Sequence, residues 1–124
     1  MEKQTYTYDE AFAKSLEYFK GDELAARVWV NKYAVKDSFG NIYEQSPEDM
    51  HWRIANEVAR VEAKYANGLS AQELFDLLDH FKYIVPQGSP MTGIGNDFQV
   101  ASLSNCFVIG VDGAADSYGA IIRI

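Results

Sequence analysis

The chain has 124 residues, 48% of them hydrophobic and 23% charged, with a net charge of −7. That length supports one modest core, and the acidic balance argues against a nucleic-acid surface. No apolar run approaches the roughly 18 residues of a membrane span. The start, Met1-Glu-Lys-Gln-Thr-Tyr, lacks the apolar stretch of a secretory signal, and the single cysteine excludes an intramolecular disulfide. A reducing, cytoplasmic setting is expected.

Four helices are predicted in the first two thirds of the chain. The first covers about Tyr8 to Phe19, with Tyr8, Phe12, Leu16 and Phe19 on one stripe and Gly21 as its stop. The second covers about Asp22 to Ala34, with Leu24, Val28 and Trp29 as core candidates and Asp22 and Glu23 favouring its N-terminus through the helix dipole. A turn at Asp37-Ser-Phe-Gly-Asn then joins Tyr33-Ala-Val to Ile42-Tyr-Glu as a small hairpin. The third helix starts at the N-cap Ser46, with Pro47 at its first position and Asp49 three residues after the cap. Its stripe is Met50, Ile54, Val58, Val61 and Tyr65, and Asn67-Gly68 ends it. In the fourth, Ser70 and Glu73 make a capping box ahead of Leu74, Leu77, Leu78 and Phe81.

A loop rich in Gly, Pro and Ser follows, containing Ser89-Pro90, and then an apolar run through Ser102-Leu-Ser-Asn-Cys-Phe-Val-Ile that reads as a buried strand. Alternation puts Ala101, Leu103, Asn105, Phe107, Ile109 and Val111 on one face, suited to covering by helices. Val100, Ser102, Ser104, Cys106, Val108 and Gly110 form the other, suited to a barrel lumen or a cleft floor. From the residues alone, Cys106 is either a redox centre or a small buried hydrophobe.

Other candidate sites are thin. His51 and His80 have no metal-ligand spacing around them, so both are expected at the surface or boundary, and no metal is expected. Gly93-Ile-Gly95-Asn has a superficial likeness to a phosphate loop but lacks the full spacing and the following lysine, and is read as a turn. Residues 1–85 carry 15 acidic and 10 basic side chains, and Arg123 is the only base beyond them. Any phosphate bound there must therefore rely on amides, hydroxyls and helix N-termini.

Val85-Pro-Gln-Gly-Ser-Pro-Met, Leu103-Ser-Asn-Cys-Phe-Val-Ile and Asp116-Ser-Tyr-Gly together resemble the start of the catalytic barrel of ribonucleotide reductase large subunits. Gly21-Asp-Glu-Leu-Ala-Ala-Arg-Val and Ser46-Pro-Glu-Asp-Met-His-Trp-Arg-Ile-Ala resemble the helical N-terminal region of the same proteins, most of all the adenosylcobalamin-dependent class II branch. The resemblance implies an α+β chain: a bundle of about four helices over residues 1–85, then the first strand or strands of a truncated α/β barrel over residues 86–124. It implies that Cys106 is one half of a redox-active cysteine pair, and that Ser89, Asn105 and Cys106 lie beside the ribonucleotide substrate. Asp116, Ser117 and Tyr118 match the start of a deoxynucleotide effector site. Asp116-Ser117 also suits a plain helix N-cap before Tyr118-Gly-Ala-Ile-Ile.

For the whole enzyme the resemblance further implies adenosylcobalamin as cofactor and a thioredoxin-like reductant. The chain has no second cysteine, so the thiyl residue and the disulfide partner are expected beyond Ile124, and the chain alone is expected to be inactive. A homodimer, or self-association through the unpaired edge of the 100–109 strand, is expected. The alternative is a non-enzymatic helical interaction module whose terminal strand pairs with a partner's sheet.

Overall fold

The computed structural model describes residues 3–108, 110 and 117–122. In chain order the helices are α1 (Tyr8–Tyr18), α2 (Glu23–Lys32), α3 (Pro47–Glu62), α4 (Ala71–Leu78), α5 (Gly88–Gly93) and α6 (Tyr118–Ile122), with a 3-10 turn at Asp79–Phe81. The longest, α3, is the spine. It packs mainly on α4, while α1 packs mainly on α2 and touches α3. One core joins them: Ala11 from α1, Trp29 and Val30 from α2, Met50, Ile54 and Ala55 from α3, and Leu74, Phe75 and Leu78 from α4. Each large side chain buried there contributes about 1.5–3 kcal/mol.

Helix starts follow cap chemistry. Ser70 and Glu73 form the expected reciprocal box, and Thr7 and Glu10 form a second one at α1. The Asp22 carboxylate accepts the Ala25 amide at 3.0 Å. Ser46, by contrast, caps without a side-chain bond. The Asp49 carboxylate instead reaches back past it to the Gln45 amide, at 2.9 Å.

The buried faces of three helices differ from the predicted stripes. On α1 the inward positions are Ala11 and Ser15, whereas Tyr8 is exposed and stacks on the half-buried Phe12. Small side chains belong where α1 lies closest to its neighbours: the Ser15 hydroxyl donates to the Gln45 carbonyl at 3.3 Å. On α2, Trp29 is buried as expected, but Ala26 and Val30 accompany it while Leu24 and Val28 face outward. Helical period alone allowed either face. The α3 stripe holds for Met50 and Ile54, weakens at Val58 and fails at Val61 and Tyr65, which are exposed. The helix stops at Glu62, short of Asn67-Gly68, because the returning chain folds onto its end. The Leu69 amide donates to the Glu62 carboxylate, and a side chain at Gly68 would stand 2.1 Å from the Glu62 carbonyl oxygen.

The hairpin near Phe39 reduces to single bridges, Lys36 with Ile42 and Tyr6 with Ile42. Asp37 organises its turn by accepting from the amides of Phe39 and Asn41, the Asn41 side chain and the Tyr43 hydroxyl.

The predicted barrel strand is not seen. Among the described residues no strand forms. Residues 100–108 run as irregular, exposed chain, with Cys106 exposed rather than buried. A strand is stabilised by ladder bonds to a neighbour, and the described residues offer this segment none. Ile109, Val111 and Asp116, which belonged to the strand and effector expectations, lie outside the described residues.

Candidate functional site

The segment read as a loop around Ser89-Pro90 contains the short helix α5. Gln87 gives it no side-chain cap, and the first contact comes from far along the chain: the Ser89 amide donates to the Asn105 side-chain oxygen at 2.8 Å. Two of the three residues predicted to lie beside the substrate are thereby joined. The third, Cys106, is next to Asn105 in sequence and exposed. Ala101 and Leu103 lie against α5 as well, since a Cβ at Gly93 would be 3.2 and 3.1 Å from their side chains. Ala101, Leu103 and Asn105 thus touch α5, although they stay exposed and no strand forms among the described residues.

The far end of α5 is held from the helical core. Arg53 on α3 donates from Nη2 to the Met91 carbonyl at 2.6 Å and from Nη1 to the Ile94 carbonyl. Its Nε bonds the Glu44 carboxylate at 2.6 Å, and both side chains are largely buried, at 13% and 6% exposure. Glu44 also accepts the Val35 amide at 3.1 Å. Burial pushes the Glu44 carboxyl above its ordinary pKa, against the pull of Arg53 and its hydrogen bonds. Beside this pair is a cavity of about 370 Å³, walled in part by Tyr6, Tyr43, Trp52, Asn56 and Phe98. Tyr43 and Phe98 stack there at 4.6 Å, and Lys3 pairs with Asp97. Neither Arg53 nor Glu44 was singled out from sequence. The only signal was an arginine one position before the buried Ile54 and three after the buried Met50, and its partners are not at helical spacing.

Of the two histidines expected at the surface or boundary, His80 is exposed and His51 is not. His51 is completely buried on α3, with Nδ1 at 3.4 Å from Asp79 Oδ1 and 3.5 Å from the Tyr18 hydroxyl oxygen, and its Nε2 has no partner among the described residues. Burial is the main cause that lowers its pKa, partly opposed by Asp79. The Tyr18 hydroxyl donates to Asp79 at 2.9 Å and accepts the His80 amide at 2.7 Å, while His80 itself is exposed and stacks on Tyr18. Burial raises the Tyr18 pKa. His80 and Phe81 both take left-handed backbone conformations, with φ of 55° and 54°. This network ties the end of α4 to α1. Among the described residues no group of three potential metal ligands forms. Ser117 precedes α6, and Tyr118, the first residue of that helix, is exposed, so a helix does begin where the cap reading put it.

The family model described as "Ribonucleotide reductase, all-alpha domain" matches residues 19–93, more than half of the chain. Helices α2, α3, α4 and α5 lie within that span, and α1 ends just before it. The chain belongs to the ribonucleotide reductase family and carries its all-alpha domain. No curated protein and no solved structure matched. No helix among the described residues is long and apolar enough to cross a membrane.

Proposed function

We propose that the chain serves as the N-terminal portion of a ribonucleotide reductase large subunit, and that Ser89, Asn105 and Cys106 contribute to the site where the ribonucleotide is reduced. The observation that carries this is the family match over the helical domain, which ends at Gly93, inside the segment that bonds Asn105. In this role Cys106 is one of two thiols that deliver the reducing equivalents. A thiyl radical on another cysteine removes the 3′ hydrogen of the ribose and later returns it. The 2′ hydroxyl leaves as water while the thiol pair gives up two electrons and two protons and closes to a disulfide, which an external dithiol of thioredoxin type reopens. The Ser89 hydroxyl and the Asn105 side chain hold the substrate, and Asp116, Ser117 and Tyr118 open the effector site.

Assignment to the class II branch adds adenosylcobalamin as radical initiator of the whole enzyme. No step above runs through that group.

The test is made on the chain in its natural reading frame, with whatever coding sequence continues beyond Ile124. Ribonucleoside diphosphates and triphosphates are supplied with a dithiol reductant, with and without adenosylcobalamin. Cys106→Ser is expected to abolish turnover with the dithiol while leaving nucleotide binding nearly intact, since it removes redox capacity and little volume. Ser89→Ala is expected mainly to raise KM. Multiple turnover by Cys106→Ser at the wild-type rate would remove the cysteine's role. A protein that binds no nucleotide and instead captures a partner's sheet edge would favour the interaction module.

A further inference from the structure

We propose that Arg53 is a positioning residue: from within the helical core it fixes the end of α5, and through α5 the Ser89 amide that meets Asn105. The inference rests on the substrate role proposed above for Ser89 and Asn105.

A six-residue helix is far too short to be stable by itself, so its place is set by what grips it. The grips lie at its two ends. At the start, Asn105 takes the Ser89 amide. At the finish, the guanidinium takes the carbonyls of Met91 and Ile94, in the region where a helix leaves its own carbonyls without partners. A guanidinium suits this because its donors are fixed in one plane and point in different directions. Here Nε goes to Glu44 while Nη1 and Nη2 go to the two carbonyls. Glu44 keeps the fork from turning, and is itself held by the Val35 amide.

The Gly93-Ile-Gly95-Asn motif acquires a reason in this arrangement. Gly95 has a φ of +71°, and a Cβ there would lie 2.9 Å from Arg53 Cγ and 3.1 Å from the Arg53 carbonyl oxygen. The chain therefore closes over the stem of Arg53 without a side chain between them, which turns the Ile94 carbonyl to the guanidinium. Gly95 thus serves the grip of Arg53, whereas Gly93 faces Ala101 and Leu103.

Arg53→Lys is the informative variant. Lysine keeps a positive charge for Glu44 but offers one compact ammonium, which does not span three acceptors. Amide hydrogen exchange is measured by NMR on the 124-residue chain. Ser89 is expected to exchange about tenfold faster in Arg53→Lys, the effect of losing roughly one net hydrogen bond, while the amides of α1 and α4 keep wild-type rates. A merely structural arginine would shift all of these amides together. Should Arg53→Lys fail to fold, Gly95→Ala disturbs the same grip and is expected to loosen Ser89 in the same selective way. Unchanged Ser89 exchange, or a change only in step with α4, overturns the proposal. Ribonucleotide binding by the wild-type protein in its natural reading frame decides the substrate role separately. Absence of binding removes that role and leaves the grip to the exchange data. In that protein Arg53→Lys is expected to raise KM several-fold more than it lowers kcat, and an unchanged KM overturns the positioning role.

Discussion

Acidification should destabilise this domain through His51, and the structure fixes the sign. The ring is completely buried. Because the Tyr18 hydroxyl spends its proton on Asp79 and accepts the His80 amide, the Nδ1 proton of the neutral ring points to Asp79, leaving Nε2 as an acceptor with no partner among the described residues. A second proton would place an N–H without an acceptor among the described residues on a buried ring that packs against Phe81, centroid to centroid at 4.8 Å. The charged groups facing the ring divide: Asp79 favours the imidazolium, whereas His80 and Arg53 oppose it, and burial outweighs them all. The folded pKa therefore lies below the unfolded value of about 6.5. Below that pH the unfolded chain binds more protons, so stability is fully present above about 6.5 and is lost as the pH falls toward the folded pKa. One group contributes a slope of at most about 1.4 kcal/mol per pH unit. Between pH 6.5 and 5.5 this moves a urea midpoint by up to about 1 M for a domain of this size. The control is His51→Leu, in which Asp79 keeps the Tyr18 hydroxyl while the titrating ring is gone. Carboxylate titrations common to both proteins cancel in the difference. Stability curves for the two that run parallel from pH 7.5 to 5.5, within about 0.3 kcal/mol, would refute the reasoning.

Three further outcomes are expected. Thr7→Ala and Ser70→Ala should each cost about 1 kcal/mol in urea unfolding, because each breaks a capping box, whereas Ser46→Ala should cost much less, since its hydroxyl makes no cap bond; equal losses at all three would contradict the cap geometry. Met50→Ala should cost about 2–5 kcal/mol by the same measurement, as the side chain is fully buried and its sulfur lies 3.4 Å from the Trp29 indole nitrogen. In the native chain a thiol reagent should modify Cys106 about as fast as in urea, because the residue is exposed; strong protection would mean that the 100–108 segment is buried after all.

Local chemistry made the helices legible. Ser70 and Glu73 mark α4 because both halves of the box lie within one turn of sequence, and Pro47 marks the start of α3 in the same way. Burial was less legible because it depends on which neighbour arrives. The α1 stripe of Tyr8, Phe12 and Leu16 is amphipathic in sequence, yet close approach selects the smaller Ala11 and Ser15. His51 could not be placed from its own surroundings in the chain, since the groups that face it come from Tyr18 and Asp79, on either side of α3. The same holds for Arg53, whose carbonyl partners lie about forty residues later.

The 100–108 segment shows the opposite limit. Ala101 and Leu103 lie against Gly93 and Asn105 meets Ser89, but the predicted strand and its helix-covered face do not form among the described residues. What alternation does not supply is the adjacent strand. An extended segment with a helix on one side and no ladder leaves its large apolar side chains uncovered, and here Val100, Phe107 and Val108 are exposed. Burying them would recover on the order of 1.5–3 kcal/mol apiece, in addition to the backbone groups that a ladder would satisfy. That free energy is available to a neighbouring strand. The helical domain therefore acts on the cysteine segment from one side only. On the positioning proposed above, Arg53 and Glu44 hold the end of α5, and its start meets Asn105, the neighbour of Cys106 in sequence.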